Sequence, residues 1–212
     1  MRLLVLGSTG PTGLLLLQQA RDRLWSVTTV VRSPDKLAHI PGQVDIVRGN
    51  VFDPSALASA LRGADAAISV LGAHAGFLGK GATDVYSASA RALCEALPEA
   101  GVRRLVFCTS AGVERDDPAE KLFYRRIAKP LFLQRGYDDM AEAESLIRAS
   151  AMDWVLVRPG RLVGRDPSAP LRVSPRWRPA GGVDVSRVAL ANFLIEQVTD
   201  DTWLRGTPTI TE

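Results

Sequence analysis

Short apolar runs recur along the chain, and each leads through a turn into a segment with helical spacing. The runs at 3–6, 27–31, 44–47, 66–70, 105–108 and 154–157 have strand length and are near-continuously apolar. A strand of that kind needs cover on both faces, which packed helices supply. Helical spacing fills 12 to about 24, 54–62 and about 83–97. Strands that alternate with helices predict right-handed crossovers and a mostly parallel sheet. The pattern therefore predicts an α/β fold: a doubly wound, mostly parallel sheet with helices on both faces.

Two connections exceed the usual length of about 2–6 residues. GAHAGFLGKGA, residues 72–82, carries four glycines, and GRDPSAPLRVSPRWRPAGG, residues 164–182, is rich in Pro and Arg. Both follow predicted strands at their carboxyl ends, the side on which such sheets bind ligands. With 212 residues and no internal repeat, one domain over 1–212 is expected, its part from about 160 to 212 contributing a loop beside the ligand.

Composition changes this picture mainly by exclusion. The chain has 26 Lys plus Arg against 23 Asp plus Glu, a net charge of +3. That excess, without interleaved aromatics, argues against nucleic acid as a partner, yet it does not repel a phosphorylated ligand. Cys94 and Cys108 show neither CxxC nor metal-ligand spacing, so reduced core thiols are expected. His39 and His74 lie far apart, and no metal site is expected. No run has the length of a membrane span or the layout of a signal peptide, so a cytoplasmic protein without membrane attachment is expected.

The first strand and first helix are joined by GSTGPTG, with Gly7, Gly10 and Gly13 evenly spaced. Glycine permits a tight turn and lets backbone N–H groups approach an anion without Cβ obstruction. The helix that follows adds unpaired N–H groups and the positive end of its dipole. A strand before and a helix after are the context that a pyrophosphate-binding turn requires. Pro11 fills an early helical position, where its missing N–H would have had no helical partner. Thr12 and Gly13 keep their N–H groups for phosphate, and the Thr9 and Thr12 hydroxyls add donors.

Dinucleotide sites usually carry an acidic residue about 20 positions on, which holds the adenine ribose hydroxyls. Here the second strand ends in VVRSPDKL, and Arg32 stands 19 residues after Gly13. A carboxylate there would repel a 2′-phosphate, whereas a guanidinium binds it bidentately. Ser33 and Lys36 add a hydroxyl and a second cation. The expected coenzyme is NADP(H) in preference to NAD(H).

GSTGPTG at 7–13, VVRSPDKL at 30–37, GVRRLVFCTSAG at 101–112 and LIRASAMDWVLVRPGRL at 146–162 together resemble the atypical short-chain dehydrogenase/reductase proteins. Within them the likeness is to the NmrA-like and biliverdin reductase B (flavin reductase) group. The resemblance implies a Rossmann-type fold, and it implies that Thr9, Gly10, Pro11 and Thr12 wrap the pyrophosphate, with Arg32 and Lys36 at the 2′-phosphate. RGNVFDP matches a segment usually written Gly-Asp-Val, so Asn50 and Val51 are implied at the adenine, the Asn50 carbonyl accepting from its amino group. Leu71 and Gly72 are implied along the coenzyme, and Tyr86 near the nicotinamide side, although its helical pattern also suits a core position. Asp53 ahead of Pro54 reads as a helix N-cap. Thr109 and Ser110 fall at the end of the fifth strand beside the expected nicotinamide, where a hydroxyl orients the carboxamide or donates to a substrate carbonyl. RPGRL places Pro159 and Arg161 at the same border, with Ser110 and Arg161 as the candidate catalytic residues.

The departures bear on mechanism. Many short-chain dehydrogenases protonate the substrate with Tyr in a YxxxK pair, in which the Lys lowers the Tyr pKa. Tyr124 is followed four residues on by Ala128, with Lys129 out of register, and Tyr137 by Ala141. Met140 stands where many atypical relatives have Lys or His, and a thioether transfers no proton. Two readings follow. One is an NADPH-dependent oxidoreductase passing hydride to a small, easily reduced acceptor such as a flavin, quinone or bilin, which takes its proton from solvent. In it the arginines at 161, 165, 172, 176 and 178 attract an anionic acceptor and Trp177 offers a stacking face. The other is a non-catalytic NADP(H)-binding sensor of NmrA-like type that presents a surface to a protein partner.

Arg32→Glu should weaken NADPH binding by about 1.5–3 kcal/mol and leave NADH binding nearly unchanged. Titration of both coenzymes checks this, and equal losses for the two would remove the 2′-phosphate assignment.

Overall fold

The computed structural model describes residues 1–38, 40, 44–72, 84–114, 116–118 and 134–212. Its first half alternates as the apolar runs predict: β1 (Arg2–Leu6), α1 (Pro11–Asp22), β2 (Ser26–Val31), β3 (Val44–Arg48), α2 (Pro54–Ala60), β4 (Ala66–Ser69), α3 (Val85–Glu99) and β5 (Arg104–Cys108). Then come α4 (Gln134–Ala149), β6 (Asp153–Pro159), β7 (Arg161–Val163), β8 (Arg172–Ser174), β9 (Asp184–Ser186), α5 (Arg187–Glu196) and β10 (Thr209–Thr211).

The main sheet runs in the order β3-β2-β1-β4-β5-β6-β10-β8, and β7 pairs with β9 in a separate two-stranded sheet. All the pairings from β3 to β10 are parallel, and only β8 runs antiparallel, against β10. The order reverses between β1 and β4, which opens a crevice above their carboxyl ends. This is the Rossmann-type doubly wound fold expected from the periodicity.

Successive strand residues serve two cores. Val5, Ile68, Val106 and Val155 face the side covered by α1 and α5, where Leu16, Leu17, Leu190 and Leu194 pack. Leu4, Leu6, Ala67, Leu105, Phe107 and Leu156 face α2, α3 and α4, against Leu57, Leu93, Leu97 and Ile147. Because both faces are dry, the strands needed no polar alternation. The segment 164–182, expected as a loop, contains β8, which lies along β10 with Arg172 opposite Thr211. Strand β10 in turn lies along β6, pairing Thr209 with Arg158. The C-terminal segment therefore extends the sheet itself.

At the end of β1 the chain turns in a form that only glycine takes without strain. Gly7 has φ +86°, and a Cβ there would stand 2.7 Å from the Val70 carbonyl oxygen at the end of β4. A Cβ on Gly10 would meet only the Gly7 carbonyl, at 3.4 Å. Gly7→Ala should therefore cost about 1–3 kcal/mol, seen as a lower urea midpoint, whereas Gly10→Ala should leave the midpoint nearly in place.

Candidate functional site

The crevice between β1 and β4 continues over the end of β2 as a cleft of about 550 Å³, lined by Gly7, Thr9, Arg32, Ser33, Lys36, Asn50, Val51, Leu71 and Gly72, together with Ser8, Val30, Val31, Phe52 and Val85. Nine residues predicted from sequence thus meet in one cavity.

Its floor is the turn at Gly7, closed by a Gly10 N–H donating to the Gly7 carbonyl at 3.0 Å. Pro11 is the first helical residue of α1, and no side chain caps this end. Among the described residues, no carbonyl accepts from the Thr12 or Gly13 N–H. Three features therefore coincide: uncapped donors, the positive end of a 12-residue helix, and an approach left open by glycine. They suit the pyrophosphate of a dinucleotide. A Cβ at Gly13 would fall on the Gly7 carbonyl, so this glycine serves the close packing of helix on turn. Ser8 is fully buried; its hydroxyl meets that of Thr29 at 2.6 Å, and Thr29 donates to the Val5 carbonyl at 2.7 Å. Ser8 thus ties β1 to β2 and contributes no side-chain contact to a ligand.

Arg32, Ser33 and Lys36 are exposed on the rim above β2. Among the described residues no carboxylate pairs with Arg32 or Lys36, which leaves both cations for an anion. Beyond them the Asn50 side-chain carbonyl accepts the Phe52 N–H at 3.2 Å, so the oxygen proposed for the adenine already holds the local turn. Asp53 caps α2, accepting from the Ser55 N–H at 3.0 Å and its hydroxyl at 2.8 Å. Those bonds hold its carboxyl below the usual range.

A second constellation lies where β5 and β6 end. Glu144 of α4 is fully buried. It takes a two-pronged bond from Arg158, Nε to Oε1 at 2.9 Å and Nη2 to Oε2 at 2.7 Å, plus one from Arg148 at 2.8 Å. The Thr109 hydroxyl donates to the same carboxylate at 2.7 Å. Arg158 also reaches Glu114 at 3.3 Å, and Arg176 reaches Glu114 at 3.6 Å. Burial alone would push the Glu144 carboxyl up, but hydrogen bonds and charge from Arg158, with the Thr109 bond, outweigh it and hold the group below its ordinary value.

This network gives the two neighbouring hydroxyls opposite polarity. Thr109 has committed its only proton to Glu144. Ser110 accepts the Gly112 N–H at 3.2 Å and keeps its proton to donate. Tyr86 packs into the core beneath α3, consistent with its helical-core reading. Its backbone N–H and that of Ser87 are each held by Asp139 at 2.9 Å. Tyr137 lays its ring against Gly112, a packing role, while Tyr124 and Lys129 fall outside the described residues, as do His39 and His74.

Arg161 is exposed and held by Asp184 through two bonds, 2.8 and 3.1 Å, across the β7–β9 pair. Pro159 is buried at the end of β6. The arginines of the C-terminal segment do not present a free positive surface, contrary to the expectation that they draw in an anionic acceptor. Arg165 pairs with Glu212 at 3.1 Å, Arg178 with Asp117 at 2.6 Å, and Arg172 donates to the Ala180 and Glu212 carbonyls. Arg176, besides reaching Glu114, lies 4.9 Å over the Trp177 ring and occupies one face of the proposed stacking surface. Glu212, Asp117 and Glu114 lie far along the chain from the arginines they meet, which local spacing does not reveal.

A second groove, about 540 Å³, follows the outer face of α1 and holds Pro11 and Arg165 among the predicted residues; Leu14, Leu15, Leu17, Val163 and Val188 supply most of its apolar lining. It contains no constellation of acid, base or nucleophile. Among the described residues no group of three His, Cys, Asp or Glu could hold a metal, and no helix is long and apolar enough to cross a membrane. Cys108 is buried, which pushes its thiol up to about 12.

Sequence reasoning missed Glu144, Arg158, Asp139 and Phe52. A signal for the first pair was present: an arginine closing the apolar run WVLVRP needs a buried counter-charge, and Glu144 lies on the adjacent helix.

Residues 7–201 match the NAD(P)H-binding family, and the chain belongs to that family. A (4-alkanoyl-5-oxo-2,5-dihydrofuran-3-yl)methyl phosphate reductase from Streptomyces griseus is 31% identical over 85% of this chain and 54% of its own length. The chain thus spans about half the length of that curated relative. Among solved structures, an oxidoreductase from Lactococcus lactis superposes with TM-score 0.79 at 20% identity, covering 100% of this chain and 91% of that one. An anaerobillin reductase from Escherichia coli O157:H7 gives TM-score 0.78 at 22% identity, with 100% and 97% covered. These two similarities establish the fold.

The buried network makes stability pH-dependent. A carboxyl held below its ordinary 4.5 contributes fully above that value and loses its contribution as pH falls through the depressed folded value. Glu144→Gln should cost up to about 3–5 kcal/mol at neutral pH, because Arg158 is left buried with only its 3.3 Å contact to Glu114 as counter-charge. Its urea midpoint should also fall less than the parent's between neutral and strongly acidic pH.

Proposed function

We propose that the chain is an NADPH-dependent reductase that delivers hydride to a small, easily reduced acceptor such as a flavin, quinone or bilin. The observation that carries this reading is the cleft at the strand-order reversal. It combines a glycine turn, on which the uncapped start of α1 packs, with two cations on the rim of β2 that no carboxylate among the described residues pairs. The backbone donors of Thr12 and Gly13 would hold the pyrophosphate, Arg32 and Lys36 the 2′-phosphate, and Leu71 and Gly72 the length between. The coenzyme supplies the hydride; the protein's part is to hold donor and acceptor in contact and to exclude water.

Ser110 is the residue assigned to the acceptor. Its hydroxyl receives the Gly112 N–H and so directs its own proton outward, where it stabilises charge developing on a reduced oxygen. Thr109 and the Glu144–Arg158 fork hold the end of β5 in place for it. Arg161, occupied by Asp184, serves to clamp β7 on β9. Without a Tyr/Lys pair, the reading favours acceptors that draw their proton from water. The similarity to a reductase of a phosphorylated furanone and to an anaerobillin reductase accords with small acceptors.

The sensor reading draws on the arginines of the C-terminal segment, which are already engaged by partners within the chain. Oxidation of NADPH with FMN, FAD, a quinone and biliverdin separates the two. Turnover with one or more is expected, and tight NADPH binding with no turnover on the whole panel would favour the sensor. Ser110→Ala should lower kcat by about 10²-fold for an acceptor whose oxygen gains charge, with NADPH affinity unchanged.

A further inference from the structure

Phe52 sits where the chain after β3 meets the cleft. It lines the cavity with Arg32, Ser33, Lys36, Asn50 and Val51, yet it belongs to neither hydrophobic core and leaves 40% of its surface exposed. An aromatic side chain half open inside a ligand cleft is not explained by folding. Its backbone is fixed by the turn in which the Asn50 carbonyl accepts the Phe52 N–H and the Asn50 main-chain carbonyl accepts from Asp53 at 3.1 Å. The same bond takes one of the two lone pairs of the Asn50 side-chain oxygen and fixes where the other points. An aromatic face is available beside it.

We propose that Phe52 is the stacking platform for the purine base of the coenzyme, so that this chain holds the base mainly by its face. The proposal rests on the dinucleotide reading of the cleft. A base against Phe52 brings the attached ribose beside Arg32 and Lys36, so stacking and 2′-phosphate pairing act on the two ends of one nucleoside. Base–aromatic stacking tolerates any base, because every base has a π-face. Discrimination at this end then falls on the phosphate, while the ring of Phe52 supplies affinity.

The test uses the full chain and 2′,5′-ADP, which carries the base and both phosphates but no nicotinamide, with binding followed by calorimetry. The parent should bind it. Phe52→Ala and Phe52→Leu should each weaken binding by about tenfold, and Phe52→Tyr should retain it. The urea midpoints of all three variants should stay close to the parent's, since the ring is partly exposed and outside the cores. Losses within twofold for Phe52→Ala, or full retention by Phe52→Leu, would overturn the stacking role while leaving the cleft's nucleotide reading intact. Failure of the parent itself to bind 2′,5′-ADP would instead overturn that reading, and this proposal with it.

Discussion

The close approach of Gly7 to the end of β4 is the constraint from which the cleft at the strand-order reversal follows. With no Cβ at this position, the turn leaves β1 against the Val70 carbonyl, and Gly13 lets α1 settle onto the same turn. The start of α1 therefore packs on the turn that lines the crevice, with no side chain capping its first N–H groups. Bulk at Gly7 or Gly13 would lift the helix away, and the donors would lose their aim. Pro11 adds to this economy, since the position it fills had no N–H to lose.

A different kind of interaction organises the other half of the sheet. The Glu144–Arg158 fork joins α4 to β6 in a dry interior, with Thr109 tying in the end of β5. A buried ion pair of this kind is a weak source of net stability, but removal of either member leaves the other a buried charge with only a secondary partner, Glu114 or Arg148. Its value lies in direction. By accepting the Thr109 hydrogen bond it occupies that hydroxyl's donor, while the neighbouring Ser110 accepts from Gly112, a distinction that amino-acid type alone does not make. Through Glu114 the network reaches Arg176, so the C-terminal segment and the end of β5 are held by one set of charges.

The elements legible in the sequence were those whose burial is continuous. Residues 3–6, 27–31 and 105–108 could be read because both faces of those strands are dry, and the structure lengthens each by at most one residue. Helix α4 was not anticipated: its apolar stripe of Met140, Ala143 and Ile147 is narrow amid acidic and basic neighbours. Strands β7 to β10 have three residues each, too few to carry a period, and their pairing depends on residues far along the chain. The site divides in the same way. The glycine turn and Arg32 were visible because spacing within one strand-turn-helix unit defines them. The engagement of Asn50 is a matter of local turn geometry, and Arg178 meets a partner 61 positions away. Neither is encoded in spacing.

The two margins of the main sheet bear on how the molecule behaves in a crowd. Strand β3 forms one margin and carries exposed Asp45 and Arg48; β8 forms the other, only three residues long, with exposed Arg172 and its direction reversed. Parallel sheets grow by adding strands, and an open margin with unpaired backbone groups invites a strand from a neighbouring chain. Charge at one margin and brevity at the other give such a strand little to join. The antiparallel β8, which at first looks like an irregularity in a parallel design, thus ends the sheet on a strand of only three residues.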